Sequence, residues 1–101
     1  MSQPQTATWQ TLLEENAPDL IKNVSGFRES VLQDGALSTK VKTLMTMLCD
    51  ALLGHADGVA AIANRARAAG ASEAEIAETV SVAFLVGGMP ALVTGANAFR
   101  R

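Results

Sequence analysis

Along most of this chain apolar residues recur every three to four positions, the spacing of one helix face, and no segment alternates as a half-buried strand does. Thr8 suits the N-cap of a short first helix ending near Asn16. Pro18 fits the first turn of a second helix, which runs to about Gln33 with Leu20, Ile21, Val24, Phe27 and Val31 at helical spacing. Asp34-Gly35 closes it. A third helix opens at Ser38 or Thr39. Val41, Leu44, Met45, Leu48 and Leu52 predict its buried face, widened by Met47 and Leu53. A fourth helix starts around Asp57, its expected N-cap, and ends at Gly70 after Arg65 and Arg67. Ser72 to Glu75 reads Ser-x-x-Glu, a capping box that starts a fifth helix. That helix begins amphipathic and becomes apolar all round after Val80. Gly87-Gly88-Met89-Pro90 breaks it, and Pro90 starts a sixth short helix. The pattern predicts an all-α protein of about six helices. Residues 8–101 form a single helical domain behind a flexible polar tail at 1–7.

Composition sharpens this picture. At 49% hydrophobic and 18% charged residues, the chain is not a disordered one. Aromatics make up only 4% and Tyr is missing, so Ala, Val, Leu, Ile and Met must build the core, which favours helices. By count, 15 of the 18 alanines lie in 51–101. Small side chains let helix axes approach closely, so the second half should be the tightly packed one. A helix apolar on every side needs burial on every side, and 101 residues offer little interior. The expected solution is a homo-oligomer, with Val80, Val82, Phe84, Leu85 and Val86 meeting another copy.

Charge narrows the partners. The net charge is −2, the pI is about 5.2 and no basic stripe is present. Nucleic acid and anionic membrane are therefore not expected partners. The longest apolar stretch, Val80 to Val93, has 14 residues and is broken by Gly87, Gly88 and Pro90, too short to span a bilayer. Met1 to Glu15 carries no positive charge and no continuous apolar run, so no signal peptide is expected and the cytoplasm is the expected compartment.

Four groups of residues have chemistry to offer. Cys49 and His55 are a thiol and an imidazole six positions apart. On one continuous helix six residues advance about 600°, so the two side chains would point about 120° apart. Cys49 sits in an apolar run and is expected in the core, where a thiol is inert. His55 is the one histidine and follows Gly54 at the junction of the third and fourth helices. A helix N-terminus pushes an imidazole towards its neutral form, which suits a general base; the alternative is a polar residue bridging the junction. Glu14, Glu15, Asp19 and Glu29, with Glu73, Glu75 and Glu78 in the first turns of the fifth helix, read as a solvated face. Gly87-Gly88 lacks the spacing of a phosphate loop and reads as a helix break. A single Cys and a single His exclude an intrachain disulfide and a multi-Cys zinc site, and neither metal nor cofactor is expected.

Residues 37–99 resemble the carboxymuconolactone decarboxylase / alkylhydroperoxidase D-like family. The resemblance lies in Gly54, Ala66, Ala69-Gly70-Ala71-Ser72, Glu75-Ile76 and Val82-Ala83-Phe84-Leu85-Val86-Gly87-Gly88-Met89-Pro90-Ala91-Leu92, in order and without a gap. It implies an all-α, cytoplasmic homo-oligomer, a trimer or hexamer, with a helical hairpin at the subunit contact. Redox members of that family use a Cys-x-x-Cys pair, a His four positions later and a Glu twelve positions before the first Cys. Here those places hold His55, Gly58, Ile62 and Thr43, so none carries over, and Cys49 lies six residues too early. One thiol cannot form the intramolecular disulfide of a peroxidase cycle. The decarboxylase branch lacks the strict cysteine pair and works on a carboxylate-bearing lactone by acid–base chemistry. Arg65 and Arg67 are the cations the fourth helix offers to such a substrate.

The resemblance and the residues together lead to a non-redox family member. It would be a small-molecule acid–base enzyme or binder of a small carboxylate-bearing molecule, with a pocket near His55 and His55 as catalytic residue. The alternatives are a catalytically silent oligomeric scaffold or interaction protein, and the family's alkylhydroperoxidase (peroxiredoxin-type) activity, which the missing cysteine pair disfavours.

Overall fold

Five α-helices and a terminal 3-10 helix account for nearly all of residues 8–100, the residues that the structure, a computed structural model, describes. The chain is all-α, and no strand occurs among the described residues. The tail expected at 1–7 lies outside them. Two compact units divide the chain, Met1–Gln33 and Asp34–Arg101.

The first unit holds α1 (Trp9–Asn16) and α2 (Pro18–Leu32). The Thr11 N–H donates to the Thr8 hydroxyl oxygen at 3.2 Å, the cap that the sequence predicts. Pro18 sits in the first turn of α2, where its missing N–H costs nothing. No residue of either helix is buried, and Leu20, Val24, Phe27 and Val31 leave an apolar stripe exposed along α2.

The second unit holds α3 (Thr39–Leu53), α4 (Ala56–Ala68), α5 (Glu73–Gly95) and the 3-10 helix Ala96–Phe99. Ser38 caps α3, accepting from the Val41 N–H at 3.1 Å, and the Asp34 carboxylate accepts from the Thr39 N–H at 2.7 Å. Both halves of the Ser72–Glu75 capping box are formed. Gly54 and Gly70 take left-handed φ of 80° and 99°, and each closes its helix with a paired set of backbone bonds: Gly54 to Ala51 and His55 to Asp50, then Gly70 to Arg67 and Ala71 to Ala66. The core cluster comprises twelve residues, seven of them alanine: Ala51, Ala63, Ala66, Ala71, Ala83, Ala91 and Ala98. With methyl groups at the contacts, the helices pack closely around Met47, Val59 and Ile76, the largest fully buried side chains.

The inward face of α3 differs from the expected one. Thr43, Met47 and Ala51 are buried, whereas Val41, Met45 and Leu52 are exposed and Leu44 and Leu48 half-buried. An alanine-built centre is narrow and admits one thin stripe per helix. Thr43 can join that stripe because its hydroxyl donates to the Thr39 carbonyl at 2.7 Å, leaving no polar group unpaired. Cys49 is also exposed, not in the core, since it lies on the outer side of α3 away from Met47.

α3 and α5 run side by side in the same direction: Lys40 pairs with Glu75 near their starts, and Leu52 lies against Gly87 near the far end. The expected break in α5 falls at Gly88, whose φ of 72° and ψ of −159° are non-helical. The chain reverses there. A Cβ at Gly95 would stand 3.0 Å from Val80 Cγ1, whereas residues 80 and 95 of one straight helix lie about 22 Å apart. Pro90 falls at the start of the returning limb, so the sixth helix of the sequence reading is this limb. By length and composition Glu73–Phe99 matches a bilayer span, with a mean hydropathy of 1.8, but the reversal folds that run back on itself. The Gly88 conformation belongs to a region that residues with a Cβ rarely enter. Gly88→Ala should therefore destabilise the unit by about 1–3 kcal/mol, read from urea unfolding, even though open space surrounds the added methyl. An unchanged midpoint would show that the reversal is not held as described.

Candidate functional site

His55 is brought to its place by the end of α3. The left-handed Gly54 turns the chain so that the His55 N–H reaches back to the Asp50 carbonyl at 2.9 Å. This closure sets the sixth residue over the first. Here it sets imidazole over carboxylate: His55 Nδ1 and Asp50 Oδ1 are 3.0 Å apart. His55 is itself the N-cap of α4, with φ −90° and ψ 80°, and its side chain does not bond to the helix it precedes. The His55 side chain is 56% exposed and that of Asp50 21%, so the carboxylate backs the ring and the ring's other edge faces solvent. In the neutral tautomer whose Nδ1 donates to Asp50, Nε2 is the nitrogen with the lone pair.

Asp57 is not the N-cap. The N-cap is His55, two residues earlier, which puts Asp57 in the first turn of α4, where it accepts from Arg100 Nη2 at 3.1 Å. The carboxylate that meets the His55 ring is that of Asp50, which the sequence reading did not single out. Its signal was present: a glycine in the αL closing position places the following residue beside the one five before it.

Arg67 is not free to meet a substrate. Its side chain, 17% exposed, donates to both Glu73 oxygens (2.7 and 2.9 Å), to Asn64 Oδ1 (2.9 Å) and to the Ala98 carbonyl (2.9 Å). The Glu73 carboxylate raises the Arg67 pKa further above its ordinary value. Arg67 thus fastens the end of α4 to the start of α5 and the terminal 3-10 helix. Arg65 is exposed ten residues beyond His55, about 15 Å along the helix.

A groove of about 340 Å³ runs between α3 and α5, lined by Val41, Leu44, Met45, Leu48, Glu75, Glu78, Thr79 and Val82. His55 is not among its lining residues. The groove is where the large apolar residues of α3 face. At its edge Lys40 Nζ donates to Glu75 Oε2 at 2.9 Å, while Glu75 Oε1 accepts from the Ser72 N–H at 2.9 Å. Lys40 first, and the Ser72 N–H second, hold the Glu75 carboxyl below its ordinary 4.5. Thr39 does the same for Asp34, below 3.8. A depressed carboxylate stabilises the fold above its ordinary value and stops doing so as pH falls through its folded value. Stability should therefore decline as the pH drops below about 4.5, and Lys40→Met should decline less over that interval. Equal acid limbs for the two proteins would remove Glu75 as a contributor. Among the described residues, no three His, Cys, Asp or Glu side chains gather into a metal-holding group.

The fold and site define an alanine-cored helical unit with an imidazole–carboxylate pair at a helix junction. The carboxymuconolactone decarboxylase family profile matches residues 18–101, and the chain belongs to that family. The match takes in α2 as well as the whole of the second unit. Neither the curated proteins nor the solved structures offer a match.

Proposed function

We propose that the protein is a non-redox member of its family that performs acid–base chemistry on, or binds, a small carboxylate-bearing molecule in the cytoplasm, with His55 as catalytic residue. The observation that carries this reading is the 3.0 Å contact between His55 Nδ1 and Asp50 Oδ1 on a ring whose opposite edge is open. Asp50 fixes the tautomer, and Nε2 takes a proton from a carbon acid or from water and returns it. The anion-attracting feature beside His55 is the N-terminus of α4, which no side chain caps. With one thiol per chain, a peroxidase cycle lacks its intrachain disulfide.

The working form we propose is a homo-oligomer, a trimer or hexamer. Leu53, Leu85, Val86, Met89 and Val93 are strongly exposed on one chain, Leu85 at 81%, and a run of large apolar side chains this bare calls for a covering surface. The same bare face, together with the absence of His55 from the groove lining, favours a second reading, a silent oligomeric scaffold.

Because His55 is the one histidine, its ring resonances report on the site without ambiguity. Titrating the protein with small dicarboxylates and lactone carboxylates should shift them saturably. Unmoved ring resonances at millimolar concentrations of every compound would leave the scaffold as the better reading.

A further inference from the structure

Gly58 is a poor helix former placed inside the first turns of α4, where Ala would be favoured. The space around it is what makes the position unusual. A Cβ built there would stand 3.0 Å from Asp50 Oδ2, 3.1 Å from Asp50 Cγ and 3.2 Å from the Cβ of His55. An added Cβ at 58 would thus crowd the Asp50 carboxylate, which would have to give way by a few tenths of an ångström. Asp50 Oδ1, the other oxygen, is the one that meets His55 Nδ1 at 3.0 Å. We propose that Gly58 is a positioning residue: its bare Cα is the seat against which Asp50 rests while holding His55 in the Nδ1–H tautomer. The role in catalysis rests on the proposed function; the seat itself rests on the three distances alone.

The atoms a methyl would strike are mostly at the end of a rotatable side chain. Asp50 can shift more cheaply than α4 can move, so Gly58→Ala should loosen the pair without unfolding the unit. Ala is the better helix former, so thermal stability should hold or rise. The loss should appear in the imidazole.

The test is nitrogen-15 spectroscopy of His55 in the full chain, where the two neutral tautomers have distinct shifts. The wild type should show the Nδ1–H form. Asp50→Ala should lose that signature, and Gly58→Ala should lose it equally. Combining Gly58→Ala with Asp50→Ala should add nothing further, because both remove one contact. The inference is overturned if Gly58→Ala folds and keeps the wild-type tautomer, if Asp50→Ala keeps it, or if Gly58→Ala unfolds at room temperature, since the backbone and not Asp50 would then be what yields. A tautomer shift in Gly58→Ala together with full activity of a His55 variant would uphold the seat while removing the proposed catalysis. The two failures are thus distinguishable.

Discussion

Replacing Val86 with Asp should dissociate the proposed homo-oligomer into single chains that keep their helical content. Val86 is 69% exposed in the isolated chain, so a charge there disturbs little within the fold. Its cost arises only where a second copy covers it. An unpaired charge buried at such a contact costs several kcal/mol, and each 1.4 kcal/mol weakens association about tenfold. Sedimentation of the variant should then show monomer at concentrations where the wild type is wholly assembled. Val80→Asp is the informative contrast. Val80 is only 6% exposed, inside the core beside the returning Gly95, so that variant should unfold the unit itself and lose helical circular dichroism. A wild-type protein that remains a compact monomer at micromolar concentration would refute the proposed assembly. The reversal at Gly88 also separates this contact from a bilayer span. A protein that floats with lipid vesicles and shows no self-association would give the bare face to lipid instead.

The second large effect is on turnover. If the proposed substrate class is right, His55→Gln should lower the rate by about 10²-fold or more, the usual contribution of a positioned general base. That corresponds to roughly 2.7 kcal/mol of lost transition-state stabilisation. Gln keeps a polar group against Asp50, so little stability should be lost at a position more than half exposed. Cys49→Ser serves as control. Cys49 is exposed, so its replacement should leave turnover and melting nearly unchanged. A robust hydroperoxide-reducing rate abolished by Cys49→Ser would overturn both the register of the motif and the non-redox reading. Activity that survives His55→Gln would leave the pair a helix-junction contact.

Helix positions, caps and family were legible in the chain itself, and the reason is range. The Thr8, Ser38 and Ser72 caps are bonds over three residues, and the αL closures at Gly54 and Gly70 are bonds over three and five. Such interactions need no partner helix, so their residues announce them. The gapless run from Gly54 to Leu92 identifies the family on the same local signals. The Asp50–His55 pair belongs at this boundary: its geometry follows from the Gly54 closure, yet it went unread because apolar contacts are what usually fill those two positions.

Tertiary packing decided the rest. Periodicity assigns α3 an apolar face, but Val41 and Met45 of that face lie outside while Thr43, Met47 and Ala51 lie inside. The winner is set by how near α4 and α5 approach, and alanine-lined helices approach closely enough to leave room for few bulky side chains at the centre. The same holds for Arg67, which looks available until Glu73 and the Ala98 carbonyl, brought in from six and thirty-one residues away, take its hydrogens. A glycine pair before a proline foretells a break in α5; that the chain turns back far enough for Gly95 to meet Val80 is visible only in three dimensions. Sequence determines where each helix starts and stops, because those choices are made within a turn of the chain. Which side faces inward, and which charges are left for chemistry, depends on neighbours tens of residues away.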